Sequence, residues 1–551
     1  MSENTSNFIF NEIDRDITNG IYSKDELTTR FPPEPNGYLH IGHAKAICIN
    51  FSVKDKYSAK TNLRFDDTNP SKEDLEYTEA IKEDINWLGF EWDNLCFASS
   101  YFDKMYEYAV ELINKGLAYI DEQSAEEIKE NRGNLYKAGV DSPYRDRAIS
   151  ENLELFIGMR DGKFDEGTKV LRAKIDMQSN NMNMRDPIIY RILKQSHHTT
   201  LDKWCIYPMY DFAHSIEDAL EKVTHSLCSL EFQDHRPLYD WVLDNLDDYK
   251  EKRPRQIEFA RLNLTNALTS KRYIKALVDE NLVDGWDDPR LSTICAMRRK
   301  GITPNAIRNF CTEIGVAKTN SVIDYTQFEY FIREDLMQVS KRVMAIVEPL
   351  KVTITNYPEN ESEILQIPYK SDDENSECRN VSFSNTLYIE REDFMVEPPK
   401  KYHRLYKGNE VRFMGAYFLT CNDYICDEDG KVIELLCTYD PQTKSGSGFT
   451  ERKVKGTIHW VDAKNCVKAE IRHYDNIIDE TIESDNFLDR VNKNSLEVKE
   501  GFIERAIEEC EEDKFQFVRN GFYCIDSKNS TAEHLIFNKT VGLKSSWKPN
   551  K

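Results

Sequence analysis

Apolar residues over the first hundred positions recur in two rhythms, short runs and stripes of helical period. Leu27–Phe31 suits a short strand. Beyond a Pro/Gly loop, Ile41, Ala44, Cys48 and Phe51 fall on one face of a helix. Lys60–Phe65 predicts the next strand, ending at Asp66-Asp67. Ser71 then caps a second helix, with Asp74 at the capping-box position. Tyr77, Ile81, Ile85 and Leu88 make its stripe, and Gly89 stops it. This β-α-β-α order predicts a parallel sheet with crossover helices, and such sheets bind ligands at the carboxyl ends of their strands.

From 101 to 209 the pattern is mixed and interrupted, as in an insertion. Alternation resumes near Ile206–Ile216 and continues through Arg255–Leu264. In the helical region that follows, Thr303-Pro304 supplies an N-cap and an N1 proline. Ile307, Phe310, Cys311 and Ile314 line one face, and Gly315 ends the helix. Near residue 340 the period falls to two. "KVTITNY", "VSFSNTLYIE", "GTIHWVDA" and "VKAEIRHYD" alternate between polar turns, as in barrels or sandwiches. Pro358–Asn380 and Gln442–Phe449 are expected to be loops.

A chain of 551 residues exceeds one core, so about three to five domains are expected. Hydrophobic residues at 40% and charged residues at 31% describe an ordinary globular protein. No apolar run has the length of a membrane span, and the polar start lacks the features of a secretory signal. The thirteen cysteines include no Cys-x-x-Cys; Cys421 and Cys426 are the nearest pair, without a His or Cys to complete a zinc set. Free thiols in a reducing cytoplasm are expected. The net charge of −23 opposes general nucleic-acid binding, since phosphate contacts need Lys and Arg. It leaves room for local basic patches at Met297–Gly301, Pro398–Arg404 and Glu451–Gly456.

The chemistry concentrates in "RFPPEPNGYLHIGHAKA", Arg30 to Ala46. A helix N-terminus favours phosphate through its unpaired N–H groups and dipole. Gly42 leaves backbone exposed for a flat base. His40 and His43, at i and i+3, share a face and can donate to a triphosphate. Zinc ligation is the competing use, but no third or fourth ligand is apparent. The tetrapeptide "HIGH" by itself marks nucleotidylyltransferases as well. "ALTSKRYI" adds Lys271 on a loop, a cation able to neutralise phosphate charge.

With those stretches in view the chain resembles the glutamyl/glutaminyl family of class I aminoacyl-tRNA synthetases. "RFPPEPNGYLHIGHAKA" matches the first signature motif, and "LTSKR" stands where the second reads Met-Ser-Lys between a Val and an Arg. "RFDDTNP", "SPYRDR", "LRAKIDM", "KWCIYPMYDFAH", "THSLCSLEFQD", "FARLNL", "GWDDPR" and "STAEHLIFNKTVGL" are similar too, so the likeness runs from about Phe8 to Trp547. It implies an α/β multidomain fold. A Rossmann-type catalytic domain (1–100 and 210–260) is split by an acceptor-stem insertion (101–209). A helical subdomain with the Lys271 loop (261–339) leads to two anticodon-binding β-barrels (340–551).

The implied reaction activates the glutamine carboxylate at the α-phosphorus of ATP and passes the acyl group to a tRNA 2′-hydroxyl. The resemblance assigns His40, His43 and Lys271 to catalysis, with Mg²⁺ accompanying ATP and no structural metal. Glu34, Pro35, Asn36, Gly42, Ser229, Arg261, Leu262, Thr269 and Ser270 match ATP-contact positions. Thr269 departs from the usual Met. Asp66 matches the partner of glutamine's ammonium and Tyr210 that of its side-chain amide, with Arg30 and Gln256 around them. Cys228 stands where glutamate enzymes resemble "THALRTTEY" and carry Arg. A buried carboxylate without a cation is costly, so Cys228 favours glutamine over glutamate or dual specificity. Leu135 matches a residue that wedges open the first acceptor pair, and Asp234 a reader of the stem. Arg342, Arg404 and Gln516 fall near anticodon contacts, while Lys401 and Met414 depart from family residues there. Partners implied are tRNA(Gln) and L-glutamine, without membrane or DNA, for a cytoplasmic monomer. A catalytically dead relative is the remaining alternative, and the intact His40, His43, Lys271 and Asp66 oppose it.

Overall fold

The computed structural model describes residues 7–70, 75–370 and 375–547. It divides into two compact units, residues 1–264 with 311–323, and residues 265–310 with 324–551. Ser71 and Asp74, read as a helix cap, lie outside the described residues.

In the first unit, helix α1 (Phe8–Thr18) precedes strand β1 (Thr28–Phe31), helix α2 (Ile41–Tyr57), strand β2 (Lys60–Phe65), helix α3 (Leu75–Trp87) and strand β3 (Leu95–Phe97). The three strands form a parallel sheet in the order β1-β2-β3. The expected stripe is realised: Ile41, Ala44 and Phe51 of α2 are buried, as are Ile81 and Ile85 of α3. β1, buried at all four positions, carries no alternation because both of its faces are covered.

The insertion contains helix α4 (Phe102–Asn114), strand β4 (Ala118–Asp121), helices α5 (Ala125–Arg132) and α6 (Ile149–Arg160), and strands β5 (Val170–Ala173), β6 (Ile188–Ile192) and β7 (Ile206–Pro208). Its four strands make one antiparallel sheet in chain order. Helix α7 (Tyr210–Leu220), strand β8 (His225–Ser229), helix α8 (Arg236–Asn245) and strand β9 (Arg255–Phe259) then restore the parallel plan, β8 pairing with β9. Thr224 couples this pair to β1: its N–H donates to Thr28 O at 2.9 Å, and its Oγ accepts from Thr28 N at 3.0 Å. Strand β10 (Leu262–Leu264) pairs with Ser321–Ile323.

In the second unit, Thr303 accepts from Ala306 N at 3.2 Å, as an N-cap before Pro304 should. Two seven-stranded, barrel-like sheets follow. One is entered at Lys341–Val343 and Ala345–Ile346 and completed by the last strands, through Leu535–Gly542. The other is built from Pro349–Ile354 through Val461–Asp462. Each has its own core, around Trp460 and Phe383 in one and around Phe515 and Phe537 in the other.

Two expectations are corrected here. Pro358–Asn380 is not a loop throughout: Ser362–Pro368 is a strand paired antiparallel with Cys378–Ser384. Leu365 and Ile367 point inward on the face that also carries half-buried Glu363, while Ile364 and Gln366 hold the wet face, an alternation hidden by acidic flanks. "VSFSNTLYIE" is two strands broken at Asn385, and "GTIHWVDA" two short bridges flanking buried His459 and Trp460.

Candidate functional site

The Pro/Gly loop after β1 ends in a helix cap made of two imidazoles. His40 Nδ1 accepts from Gly42 N at 3.1 Å, and His43 Nδ1 accepts from His40 N at 3.1 Å. This is the reciprocal capping box with histidines in place of Ser and Glu. With both Nδ1 atoms accepting, the ring proton of the neutral form sits on Nε2. The rings lie 3.9 Å apart, centroid to centroid. A Cβ on Gly42 would come within 2.9 Å of the His40 ring, so glycine leaves room for the cap itself. Pro35 is buried, and Asn36 N donates to Glu34 O at 2.9 Å, tightening the loop. Leu262 O lies 3.8 Å from that same Cβ position, which places β10 beside the cap.

Behind the loop, a buried charge network joins β1, β2 and α7. Arg30 Nε donates to Asp218 at 3.0 Å, and its terminal nitrogens reach Leu227 O and Ser226 Oγ, both at 2.7 Å. Arg64 meets the same Asp218 oxygen at 2.7 Å, Glu217 at 3.0 Å and Glu221 at 3.1 Å. Tyr239 OH donates to the other Asp218 oxygen at 3.0 Å. Burial opposes the Asp218 charge, but the Arg30 and Arg64 guanidiniums outweigh it and hold the carboxyl far below its usual range. Burial drives His214 down to about 3, so this ring is neutral.

Tyr210 and Cys228 face this network. Tyr210 stacks on His214 at 5.0 Å and meets the Phe232 ring at 5.3 Å. Burial raises its phenol well above the usual value, against the nearby Arg30 cation. Burial likewise pushes the Cys228 thiol up to about 12, so it is uncharged. Asp66, at the carboxyl end of β2, accepts from Thr68 Oγ at 2.8 Å; burial raises its carboxyl to about 6 despite that bond and Arg64. Gln256 donates to Phe232 O at 3.2 Å and to Glu258 at 3.0 Å. Ser229 donates to Glu231 at 3.5 Å, and Glu231 also pairs with Arg261. Arg30, Asp66, Tyr210 and Cys228 thus gather around the start of α7, and Gln256, near the start of β9, reaches them through Phe232, whose ring meets Tyr210.

The supporting acids and Arg64 went unread in the sequence. Their signal was present: His214, Glu217 and Asp218 within α7, and Glu221 at its C-cap, recur at helical spacing, where a stripe of apolar residues would be usual.

Other predicted residues stand elsewhere. Leu135 is 77% exposed on a loop of the insertion, and Asp234 is exposed, its carbonyl accepting from Asn181 at 2.7 Å. In the second unit, Ser270 is the N-cap residue and Lys271 the first residue of helix Lys271–Asp279, with Thr269 half-buried before them. Ser292 Oγ donates to Leu268 O and pins the base of that loop. Arg342 and Gln516 face each other across two paired strands and are hydrogen-bonded at 3.1 Å. Arg404 is held by Glu392 at 2.9 Å and Asp393 at 3.2 Å.

Among the described residues one group could gather a metal ion, Asp67 with His197 and His198. Its donors are already engaged. Asp67 accepts from Ser99 N and Oγ at 2.7 and 2.6 Å, and His197 pairs Nε2 with Asp67 O at 2.7 Å while Nδ1 accepts from Thr199 N. The arrangement is a hydrogen-bonded brace.

The family model for the catalytic domain of class I tRNA synthetases (E and Q) matches residues 26–338. Models for anticodon-binding domains of the same class match 340–440 and 457–526. A glutamine–tRNA ligase of Clostridium kluyveri is 57% identical over 99% of this chain and 99% of its own. One from Clostridioides difficile is 57% identical over 100% and 99%, and one from Vibrio vulnificus 53% identical over 98% and 98%.

Proposed function

The chain belongs to the class I tRNA synthetases of the E and Q family, and on that premise we propose that it ligates L-glutamine to tRNA(Gln). ATP is consumed in two steps. A glutamine carboxylate oxygen attacks the α-phosphorus, and the bond to the β-phosphate oxygen breaks to release pyrophosphate. The terminal ribose 2′-hydroxyl then attacks the acyl carbon, loses its proton, and AMP leaves. No side-chain nucleophile is needed, because the substrate carboxylate is ionised at neutral pH. Positioning and charge stabilisation supply the rate.

What carries the reading is the pairing of a helix start capped by two histidines with a pocket built for a neutral amide. His40 and His43 are assigned to the triphosphate through their Nε2–H groups, and Lys271 to its charge on the family pattern. Mg²⁺ enters as the companion of ATP, a substrate ion. Glu34, Pro35, Asn36, Gly42, Ser229, Arg261, Leu262, Thr269 and Ser270 are assigned to the nucleotide. Asp66 takes the α-ammonium, which lowers its raised pKa on binding. Tyr210 meets the amide. Leu135 and Asp234 are assigned to the acceptor stem, and Arg342, Arg404 and Gln516 to the anticodon. Residues 101–209 and 340–551 serve these two ends of the tRNA. The enzyme is taken to act as a cytoplasmic monomer.

Glutamate is the disfavoured alternative. Cys228 is a neutral thiol, and Arg30, the nearest buried cation, is neutralised by Asp218. A substrate γ-carboxylate would lie there without a counter-charge.

Glutamine-dependent ATP–pyrophosphate exchange, run with and without tRNA(Gln) and with glutamate in parallel, tests the assignment. Exchange with glutamine and tRNA is expected. Exchange with glutamate at equal rate would overturn the specificity, and none with either amino acid would overturn the activity.

A further inference from the structure

Residues 133–140 form a loop whose backbone is fastened at nearly every step. Asn134 Oδ1 accepts from Tyr136 N at 2.8 Å and Lys137 N at 2.9 Å, and Asn134 N donates to Lys137 O at 3.0 Å. Beneath the turn, the buried Arg185 donates one terminal nitrogen to three carbonyls, those of Arg132, Asn134 and Lys137, at 2.9, 3.0 and 3.0 Å. Gly133 takes the left-handed φ of 73° that the turn requires, and a Cβ there would strike Lys137 O at 2.4 Å. Gly139 N and Val140 N close the base on Met177 O and Asn131 O, at 2.8 and 2.7 Å.

This rigid tip holds two consecutive apolar side chains in solvent, Leu135 at 77% and Tyr136 at 99% exposure. Scattered exposed hydrophobics need no account. An adjacent pair on a loop tied down by a buried arginine is different, because the ordering cost is met before any partner arrives. The exposed Arg132 and Lys137 flank the tip with positive charge in a chain of net charge −23. A phenol ring beside two cations suits a nucleic-acid base next to its phosphates.

We propose that Tyr136 is a second nucleic-acid contact of this loop, stacking its ring on the base uncovered when Leu135 opens the first acceptor pair, with Arg185 as the positioning residue beneath. The inference rests on the assignment of Leu135 to the acceptor stem. The two side chains do different work: Leu135 displaces a base from its pair, and Tyr136 holds an unpaired base by its face.

The test is steady-state aminoacylation by the full chain carrying Tyr136→Ala, Tyr136→Phe or Leu135→Ala. Each variant is assayed with a tRNA(Gln) transcript and with one whose first acceptor pair is mismatched. Tyr136→Ala should raise the KM for tRNA about tenfold, the order expected for one lost base–aromatic stack, with kcat little changed. Tyr136→Phe should match the parent. The mismatched transcript should rescue Leu135→Ala and leave Tyr136→Ala impaired, because an open pair still needs its base held. If Leu135→Ala is impaired while Tyr136→Ala is not, the inference falls and the stem assignment stands. If neither is impaired, both fall. An impaired Tyr136→Phe would replace stacking by a hydroxyl contact and overturn the proposal.

Discussion

Two side chains of the pocket carry opposite electrostatic demands, and each yields a measurement. Cys228 is neutral because burial keeps its proton on, and on the proposed assignment such a pocket favours an amide over a γ-carboxylate. Cys228→Arg should raise the ratio of glutamate to glutamine kcat/KM by at least about tenfold, since one buried charge pair outweighs that much free energy. Unchanged discrimination in paired aminoacylation assays would remove Cys228 from the specificity argument. Asp66 titrates in an accessible range, its carboxyl raised by burial from 3.8 to about 6. Between those two values the fold holds a proton that the unfolded chain releases, so without ligand this group weakens folding as pH rises through the window. On the proposed assignment, glutamine's ammonium needs the charged form. The KM for glutamine should therefore climb about tenfold per pH unit below pH 6 and level off above it. Asp66→Asn should flatten that profile and lower kcat/KM about a hundredfold, as loss of a charged hydrogen bond would.

At the level of helix and strand, Gly42 sits where cap and site coincide. Gly42→Ala places a methyl 2.9 Å from the His40 ring, so the ring must leave Gly42 N. The expected cost is about 1 kcal/mol of stability from the lost cap, with a roughly tenfold higher KM for ATP in pyrophosphate exchange. A variant with an unchanged KM would separate the cap from nucleotide binding. The same stretch shows how far periodicity reaches. Strand β2 and the helix at Pro304 were legible because apolar spacing, prolines and caps agree there. Both imidazoles were legible as a pair at a helix start, but their Nδ1 bonds with the backbone, which set the tautomer, were not. Arg64 and the acids of α7 escaped because their partners lie more than a hundred residues apart in sequence, and only folding pairs them. Ser362–Pro368 escaped for the opposite reason, since its acidic neighbours resemble a loop while its partner strand lies ten residues on.

Over the whole chain, the net charge of −23 coexists with basic runs that are largely spoken for inside the fold. Arg299 of "MRRKG" is buried against Asp526 at 3.0 Å and Asp284 at 3.0 Å, Arg452 of "ERKVKG" pairs with Glu410 and Asp440, and Arg404 with Glu392. Arg299 is thereby withdrawn from the candidate basic patch at Met297–Gly301, because it holds the helical region of the second unit to the segment before its last strand. Buried pairs of this kind make the second unit depend on matched charges. Arg379 and Glu504 form another, joining the strand Cys378–Ser384 to Leu496–Glu504, both side chains almost wholly buried. Arg379 also donates to Pro368 O at 2.7 Å, and Glu504 N donates to Met344 O at 3.1 Å, so each partner is tied to a separate sheet. Burial raises the Glu504 carboxyl even with the guanidinium beside it. Arg379→Ala should therefore cost about 3–5 kcal/mol in urea unfolding, because it strands a buried carboxylate, while the double variant Arg379→Met with Glu504→Leu should recover most of that loss. Equal destabilisation by the single and double variants would mean that the pair contributes through packing and not through matched charge.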